Sequence, residues 1–536
     1  MLALTLVGAF CYSFNIHNPL FWDDADWILN NPSIHALTWT NIRFIFTHDA
    51  LAGIGQISNY YRPFLFLTFL GNYIISGAAP VWYHVVSNTI HIGNGLLIFV
   101  LLARWLKSPR AAFIGALFFL IHPLQTEALT YVSGRGDPLS VFFMLSGIWL
   151  FIELRDRKRY LAAYAGSAVL MSLAVLSRET AVLFPGYLFM ALAAFENSGP
   201  FFKRTTGALR TVLPLAGISA LYGMLRLTVF NFQNTLNFYQ HQNLYSEHLS
   251  YRIYTFLHAL TVYLRLIIIP AGLHMDRDIP ISLSILNPPA LAGAGLILTA
   301  GIWLVYLYWS GRERLFWLWF FSLGVFFLNL GPTSGILPIN ARIYEHWLYI
   351  SLFGAAALAG WYIDSGLRLA EKRHGNLKPA LIILLIGYCL FMSIQTIRRN
   401  LIWGDPEALY QNILAYEPND VRVLNNLGNW YSDHGQDSQA APLYEKAIEA
   451  DPSQPAPYHN LANIAAAAGD LKQAEALYKE AIRRDPRFHY AYSNLANIYL
   501  RENNIAAAIN TLEELRKIFP SPELDAALER LKKSQR

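Results

Sequence analysis

The sequence predicts an all-α protein in two parts: a polytopic membrane helix bundle over residues 1–397, then a solenoid of short helical repeats over 398–536. Three observations carry this. Hydrophobic residues make up 54% of the 536 positions and charged residues only 14%, too apolar a balance for a water-soluble chain. Apolar runs close to the roughly 20 residues needed to cross a bilayer recur up to about residue 397. Past Arg398 the composition turns polar and repeats with a period of 34 residues, as stacked helix pairs do.

Taken in order, the runs long enough to span lie at about 1–16, 81–103, 111–128, 138–154, 160–177, 179–196, 208–228, 289–309, 315–331, 347–364 and 378–397, about eleven in all. Two further apolar segments, about 60–76 and 252–270, read as interfacial helices. The positive-inside rule decides this. With both lying flat, the loops holding Arg104/Lys107/Arg110, Arg155/Arg157/Lys158/Arg159, Lys203/Arg204/Arg210, Arg312/Arg314 and Arg368/Lys372/Arg373/Lys378 share one side, which is then cytoplasmic. Topology thus accounts for the formal charge of +5. With no basic tract and no nucleic-acid motif, nucleic acid is not expected as a partner. Cys11 and Cys389 both lie in apolar runs, which argues against a cysteine-ligated metal. The first run passes into Trp22 and Asp23 without a small-residue cleavage site, so no cleavable leader is expected.

In the second part Pro418, Pro452, Pro486 and Pro520 recur every 34 residues, as do Asn426-Leu427-Gly428-Asn429, Asn460-Leu461-Ala462-Asn463 and Asn494-Leu495-Ala496-Asn497. That period, with helix-turn-helix patterning and a terminating proline, belongs to tetratricopeptide repeats, whose helix pairs bury their apolar faces only by stacking. Asn426, Asn429, Asn460, Asn463, Asn494 and Asn497 fall on the first helix of each repeat. An amide side chain offers both donor and acceptor, which suits binding of extended peptide backbone. Packing within the repeat is the competing role.

Opposite the basic loops, ionisable groups gather on one side. Phe21-Trp22-Asp23-Asp24-Ala25-Asp26-Trp27 places three carboxylates in seven residues beside the first run, costly next to lipid and unnecessary for anchoring. Asp23 or Asp24 can act as general base for a hydroxyl acceptor. Arg62, Arg135 and Arg178 share that side, where a guanidinium can hold a phosphate through two parallel hydrogen bonds. Glu127, Asp137, Glu179 and Glu345 could pair with those arginines instead. A base beside a phosphate clamp suits transfer from a lipid phosphate. No cofactor is required, although Asp24-Ala25-Asp26 offers oxygen ligands to a divalent cation near Asp24 and Asp26. His84 and His91, seven residues apart on one helix face, read as core histidines bonded to a neighbouring helix. His122-Pro123 ends a helix, with Glu127 following toward the site. No Walker loop, dinucleotide fingerprint, HExxH or serine elbow is present.

Together these motifs resemble those of the transmembrane and tetratricopeptide-repeat containing O-mannosyltransferases, and of their bacterial relatives in the GT-C class of polyprenyl-phosphate-sugar-dependent glycosyltransferases. Phe21-Trp22-Asp23-Asp24 is similar to the family's first-loop acidic motif, and Tyr61-Arg62-Pro63 to the segment that follows it. Tyr83-His84 with Asn88 and His91, and His122-Pro123 through Thr126-Glu127 to Gly134-Arg135-Gly136-Asp137, resemble further runs. The resemblance covers nearly the whole chain. It implies a GT-C-type bundle in which Asp23 is the general base and Asp24 positions it or the acceptor. It also implies a polyprenyl- or dolichyl-phosphate monosaccharide as donor, its sugar mannose-like, with inversion in one displacement. Arg62, His122, Glu127, Arg135, Asp137, Arg178, Glu179, Glu345 and His346 would then line the donor site. Two departures stand out. Ser177-Arg178-Glu179-Thr180 replaces the usual Ser-Lys-Glu, turning a point charge into a fork. Glu345-His346-Trp347 replaces Glu-Arg-Tyr, which removes a permanent cation and would make donor binding sensitive to pH.

The expected function is therefore transfer of a sugar from a lipid-phosphate carrier to a hydroxyl, taken to be Ser or Thr of a polypeptide that the repeats present. Membrane lipids are the remaining partners. The expected location is a bacterial inner membrane, with site and repeats facing the periplasm, or the endoplasmic-reticulum membrane in a eukaryote. A non-catalytic membrane scaffold for the repeats would leave the one-sided ionisable cluster unexplained. A GT-C enzyme glycosylating a lipid or glycan is a second alternative. A transporter of lipid-linked sugars would call for inverted repeats or mid-bilayer charges beyond Arg226 and Arg265.

Overall fold

In the computed structural model, which describes residues 1–232, 243–337, 339, 341–373 and 377–534, the chain divides into two compact units, Met1–Asp405 and Pro406–Arg536. The first contains α1 (Leu2–Tyr12), α2 (Trp39–Thr47), α3 (Pro63–Ser76), α4 (Val81–Leu106), α5 (Pro109–Ile121), α6 (Thr126–Thr130), α7 (Gly136–Asp156), α8 (Tyr160–Val175), α9 (Phe184–Ala191), α10 (Phe201–Leu227), α11 (Leu244–Glu247), α12 (Leu249–Ile268), α13 (Pro288–Trp309), α14 (Glu313–Leu330), α15 (Ser351–Arg373) and α16 (Leu377–Ile402). No strand occurs among the described residues.

Local sequence sets the helix limits. α5 starts where the Ser108 hydroxyl accepts from Ala111 N, with Pro109 in the first turn. It stops at His122-Pro123, where the proline ring cannot continue the ladder, and the chain bends by 48° into Pro123–Thr130. α4 ends at Lys107, which adopts a left-handed φ of +50°. Where α5 crosses α15, a Cβ on Gly115 would stand 2.5 Å from the Ala356 carbonyl oxygen, and one on Gly360 2.3 Å from that of Ala111. Small residues thus let two backbones touch, the usual device of helix packing in lipid.

Among the described residues, seven helical segments are long and apolar enough to cross a membrane: 81–106, 132–156, 179–196, 201–227, 288–309, 313–330 and 377–402. The bent pair around His122 makes an eighth if it is one span. Of the eleven expected, the runs at 1–16 and 160–177 form shorter apolar helices, and 347–364 falls in α15, which is not among the seven. α15 carries Asp364, Arg368 and Glu371 in its second half and buries Leu352, Phe353, Ala356 and Ala357 against protein. The segments expected to lie flat, α3 and α12, are likewise outside the seven. Of the expected outer loops, 233–242, 338 and 340 fall outside the described residues. Exposed apolar side chains run along α13 (Leu291, Leu298, Ile302, Val305) and α16 (Ile383, Leu384, Ile386), as on lipid-facing helices.

α16 continues past residue 397 to Ile402, with Arg399, Asn400 and Trp403 turned inward. The division between units accordingly falls after Asp405. The second unit is built from α17 (Pro406–Leu414), α18 (Val421–Asp433), α19 (Asp437–Ala450), α20 (Pro455–Ala467), α21 (Leu471–Arg484), α22 (His489–Arg501), α23 (Ile505–Ile518) and α24 (Pro522–Ser534). Tyr444, Ala447, Tyr478, Ala481 and Leu495 are buried between stacked pairs. The turn inside each repeat takes a left-handed residue at Gly435, Gly469 and Asn503, and asparagine is the residue that best tolerates glycine's place there.

Candidate active site

The acidic turn is held by a buried polar network at one end of the first unit. Asn15 Nδ2 donates to Asn88 Oδ1 (3.2 Å) and to Thr130 Oγ1 (3.0 Å), and Asn88 Nδ2 returns a bond to Asn15 Oδ1 (2.8 Å). Thr130 Oγ1 donates to Asn400 Oδ1 (2.6 Å), and Asn400 accepts from Asn18 through its carbonyl (2.8 Å). His84 Nε2 lies 3.0 Å from the Asn18 carbonyl. The exit of α1, the start of α4, the end of α6 and the end of α16 are thereby tied together. Such a network rigidifies only if each member is satisfied.

On this base the two adjacent aspartates separate. Asp24 is 1% exposed, its Oδ1 accepting from Ser133 N at 2.6 Å and from the Ser133 hydroxyl, and its Oδ2 from Val132 N at 3.2 Å. Burial pushes its carboxyl from 3.8 up to about 7, against the pull of those three donors. Asp23 is half-buried, and the preceding Trp22 holds a φ of +59°, a strained conformation for an aromatic residue. Phe21 and Tyr131 lie against the buried Trp403, at ring separations of 6.3 and 5.4 Å. Asp26 takes a third path and accepts from Asn30 Nδ2 at 3.2 Å. Among the described residues no group of three or more His, Cys, Asp or Glu side chains is placed to hold a metal ion.

The arginines are engaged by protein partners. Arg62 donates through Nε to both Glu179 oxygens (3.1 and 3.0 Å), its Nη2 lies 2.9 Å from Oε2, and its guanidinium stacks on Tyr60 at 4.6 Å. Arg135 is fully buried, with no carboxylate partner among the described residues. Ser87, Thr68, Asn72 and the Tyr83 carbonyl accept its N–H groups at 2.7–3.1 Å, and Phe69 lies beneath it at 4.9 Å. Arg178 Nε pairs with Asp137 Oδ1 at 3.0 Å, each side chain 13% exposed.

Arg178 and Asp137 share a small cavity of about 40 Å³ with His346, Tyr187, Asn329 and Trp347. His346 Nδ1 stands 2.6 Å from Glu127 Oε1. Asp137 Oδ2, and Glu127 Oε2 beside His346, are buried without a hydrogen-bond partner among the described residues, which is uncommon for a folded interior. Glu345 is separate from this cavity's lining. It accepts from Arg277 Nη2 and His274 N, each at 3.0 Å, and pairs with Arg399. Those two arginines outweigh its burial and hold its carboxyl below the usual range. His122 is buried, with Nε2 3.0 Å from the Ile267 carbonyl and Nδ1 accepting from Leu124 N. His91 spans the Tyr349 hydroxyl and the Leu120 carbonyl. Arg277, Arg399, Ser133 and Tyr349 were not singled out from sequence. Arg399 stands in Ile397-Arg398-Arg399-Asn400, which reads as the basic end of a span.

In the second unit the repeated asparagines bond one another. Asn460 Nδ2 donates to Asn429 Oδ1 (2.8 Å), which also accepts from the Tyr444 hydroxyl (2.9 Å). Asn494 Nδ2 donates to Asn463 Oδ1 (2.9 Å), which accepts from the Tyr478 hydroxyl (2.6 Å). Asn426 is half-buried and Asn497 exposed.

Models of the tetratricopeptide repeat match residues 421–450, 443–476 and 465–531. The chain is 24% identical to protein O-mannosyl-transferase TMTC3 of Mus musculus, over 79% of this chain and 48% of that one. It is 25% identical to protein O-mannosyl-transferase TMTC4 of Homo sapiens, over 81% and 64% respectively. Among solved structures, the Archaeoglobus fulgidus oligosaccharyltransferase is 15% identical, covers 76% of this chain and 56% of that one, and aligns with a TM-score of 0.37. This chain thus spans about half the length of the first curated relatives it matches, is similar over some four-fifths of its own length to proteins named protein O-mannosyl-transferases, and carries tetratricopeptide repeats behind a set of helices able to cross a membrane.

Proposed function

We propose that the protein is a membrane glycosyltransferase that moves a sugar from a polyprenyl-phosphate monosaccharide to a serine or threonine hydroxyl of a protein, with inversion. The observation that carries this is the unequal pair at the acidic turn: Asp24 is buried and bonded to Ser133 and Val132, while Asp23 next to it remains half-exposed. Two carboxylates in such different surroundings can divide the labour of anchor and base. Asp23 takes the proton of the acceptor hydroxyl as its oxygen attacks the anomeric carbon, and the bond to the carrier phosphate breaks on the opposite face. Asp24 acts as a positioning residue through Ser133. The relatives' names support sugar transfer to protein, and the repeats are the part suited to presenting a polypeptide. Arg178 and His346, which line the small cavity, are the candidates to meet the leaving phosphate, Arg178 exchanging its Asp137 partner for it. The membrane is a bacterial inner membrane, or that of the endoplasmic reticulum in a eukaryote, with the acidic turn on the outer or lumenal face.

The test is transfer of labelled sugar from a set of polyprenyl-phosphate monosaccharides to membrane and secreted proteins by the purified full chain. Asp23→Asn should lower the rate roughly 100- to 10,000-fold with little change in thermal stability. A chelator should leave the rate unchanged, because Asp24 and Asp26 are already engaged by protein donors. A rate indifferent to Asp23→Asn, or no transfer from any donor, would overturn the reading.

A further inference from the structure

At the other end of the first unit, a cavity of about 310 Å³ opens between the last turn of α4 and the first turns of α10 and α14. At 1.5 Å per helical residue it lies about 33 Å along α4 from His84, which packs beside the acidic turn. Its ionisable lining is Lys107, Arg204, Arg314 and Glu313, three cations to one carboxylate.

The cations are not equally committed. Arg204 is buried, with Nη1 2.8 Å from Glu313 Oε1 and its other groups donating to the Ala193 and Ala194 carbonyls. Arg314 donates to the Leu106 carbonyl at 2.5 Å and lies over Trp361 at 4.1 Å, and among the described residues it is paired with no carboxylate. Lys107 is exposed on its left-handed turn, without a side-chain hydrogen bond or ion pair among the described residues. Trp317, beneath the Arg204 guanidinium at 4.1 Å, forms the second aromatic wall.

Tryptophan beside basic residues at the end of spanning helices is the composition found at headgroup depth, and a basic pocket between such helices suits an anionic lipid headgroup. A free anion could reach Lys107 but would make no use of the indole walls. We propose that this cavity binds the phosphate of an anionic membrane phospholipid through Lys107 and Arg314, with the lipid's glycerol and upper acyl carbons against Trp317 and Trp361. This site is distinct from the acidic turn, and its test does not read sugar transfer.

Short-chain phosphatidylglycerol, short-chain phosphatidylcholine and inorganic phosphate are titrated separately into the detergent-solubilised full chain while Tm is followed. Phosphatidylglycerol should raise Tm saturably at concentrations where the other two do not. Lys107→Gln, which removes no side-chain hydrogen bond or ion pair among the described residues, should raise the half-saturating concentration about fivefold. Arg314→Gln should do the same, with a lower starting Tm because Arg314 fastens α14 to α4. Arg157→Gln, in another basic loop, should leave the titration unchanged. An equal response to phosphatidylcholine would make the cavity an apolar groove, and an equal response to phosphate a free-anion site; either overturns the proposal. So does no response to any of the three, or a phosphatidylglycerol response indifferent to Lys107→Gln.

Discussion

Around the acidic turn, Arg62 is matched to Glu179, Arg178 to Asp137, and Arg277 and Arg399 to Glu345, all largely shielded from solvent. At the other end of the same unit, Arg104, Arg110, Arg157 and Arg368 make their ion pairs with 37% or more of the side chain exposed. Lys107 there has no ion pair among the described residues. Burial explains the contrast. A charge removed from water must find its counter-charge or donors inside the protein, so the end that carries the proposed chemistry uses most of its cations for its own fold. The other end, where the paired side chains are more exposed, can leave cations unspent.

The contrast is broken most forcefully at Arg135, whose charge is held, among the described residues, by neutral acceptors. Arg135→Met should destabilise the first unit by about 3 kcal/mol or more, by stranding Asn72, Ser87 and the Tyr83 carbonyl. Arg135→Lys should recover little of that, since an ammonium cannot serve four acceptors spread around a planar fork. The midpoint of unfolding in detergent measures both.

Asp24 sharpens the comparison through pH. Its carboxyl titrates at about 7 in the fold against 3.8 ordinarily, so the folded state holds the proton more tightly than the unfolded chain. That contribution to stability is complete below 3.8 and is lost as pH rises through about 7. Asp24→Asn cannot ionise, so the stability difference between variant and wild type should move in the variant's favour from pH 5 to pH 8. Sugar transfer should show the complementary trend: the ionised form accepts best from Ser133 and Val132, so the wild-type rate should rise through pH 7, and Asp24→Asn should lose that limb. At the exposed end, Arg157→Ala, which breaks only a surface pair with Glu153, should leave Tm unmoved within error.

Much of this was legible in the sequence, for identifiable reasons. The repeats were, because a period of 34 needs no tertiary information. The long spans were, because lipid demands length and apolarity at once. The runs at 1–16 and 160–177 form apolar helices shorter than the seven long ones, a difference in length that apolar composition does not reveal. The acidic turn could be found, but not its division of labour: Asp23 and Asp24 are chemically identical neighbours, and only Ser133, far along the chain, decides which is buried. Glu345 could be named, but its partners Arg277, in a loop, and Arg399, near the end of α16, are far away in sequence and look like ordinary boundary residues. For the repeated asparagines, position could be read but not whether they face a ligand or one another. Four of the six turn out to be bonded within the array.

Those asparagines also give the array a direction. Each rung pairs an asparagine with a tyrosine fifteen positions later, Asn429 with Tyr444 and Asn463 with Tyr478. Below Asn497 the same position is Leu512, which has no hydroxyl to offer. The seam therefore runs out of register chemistry at one defined repeat. A repeat duplicated upstream of it would inherit a ready-made rung, whereas one grafted after it would dock without that hydroxyl.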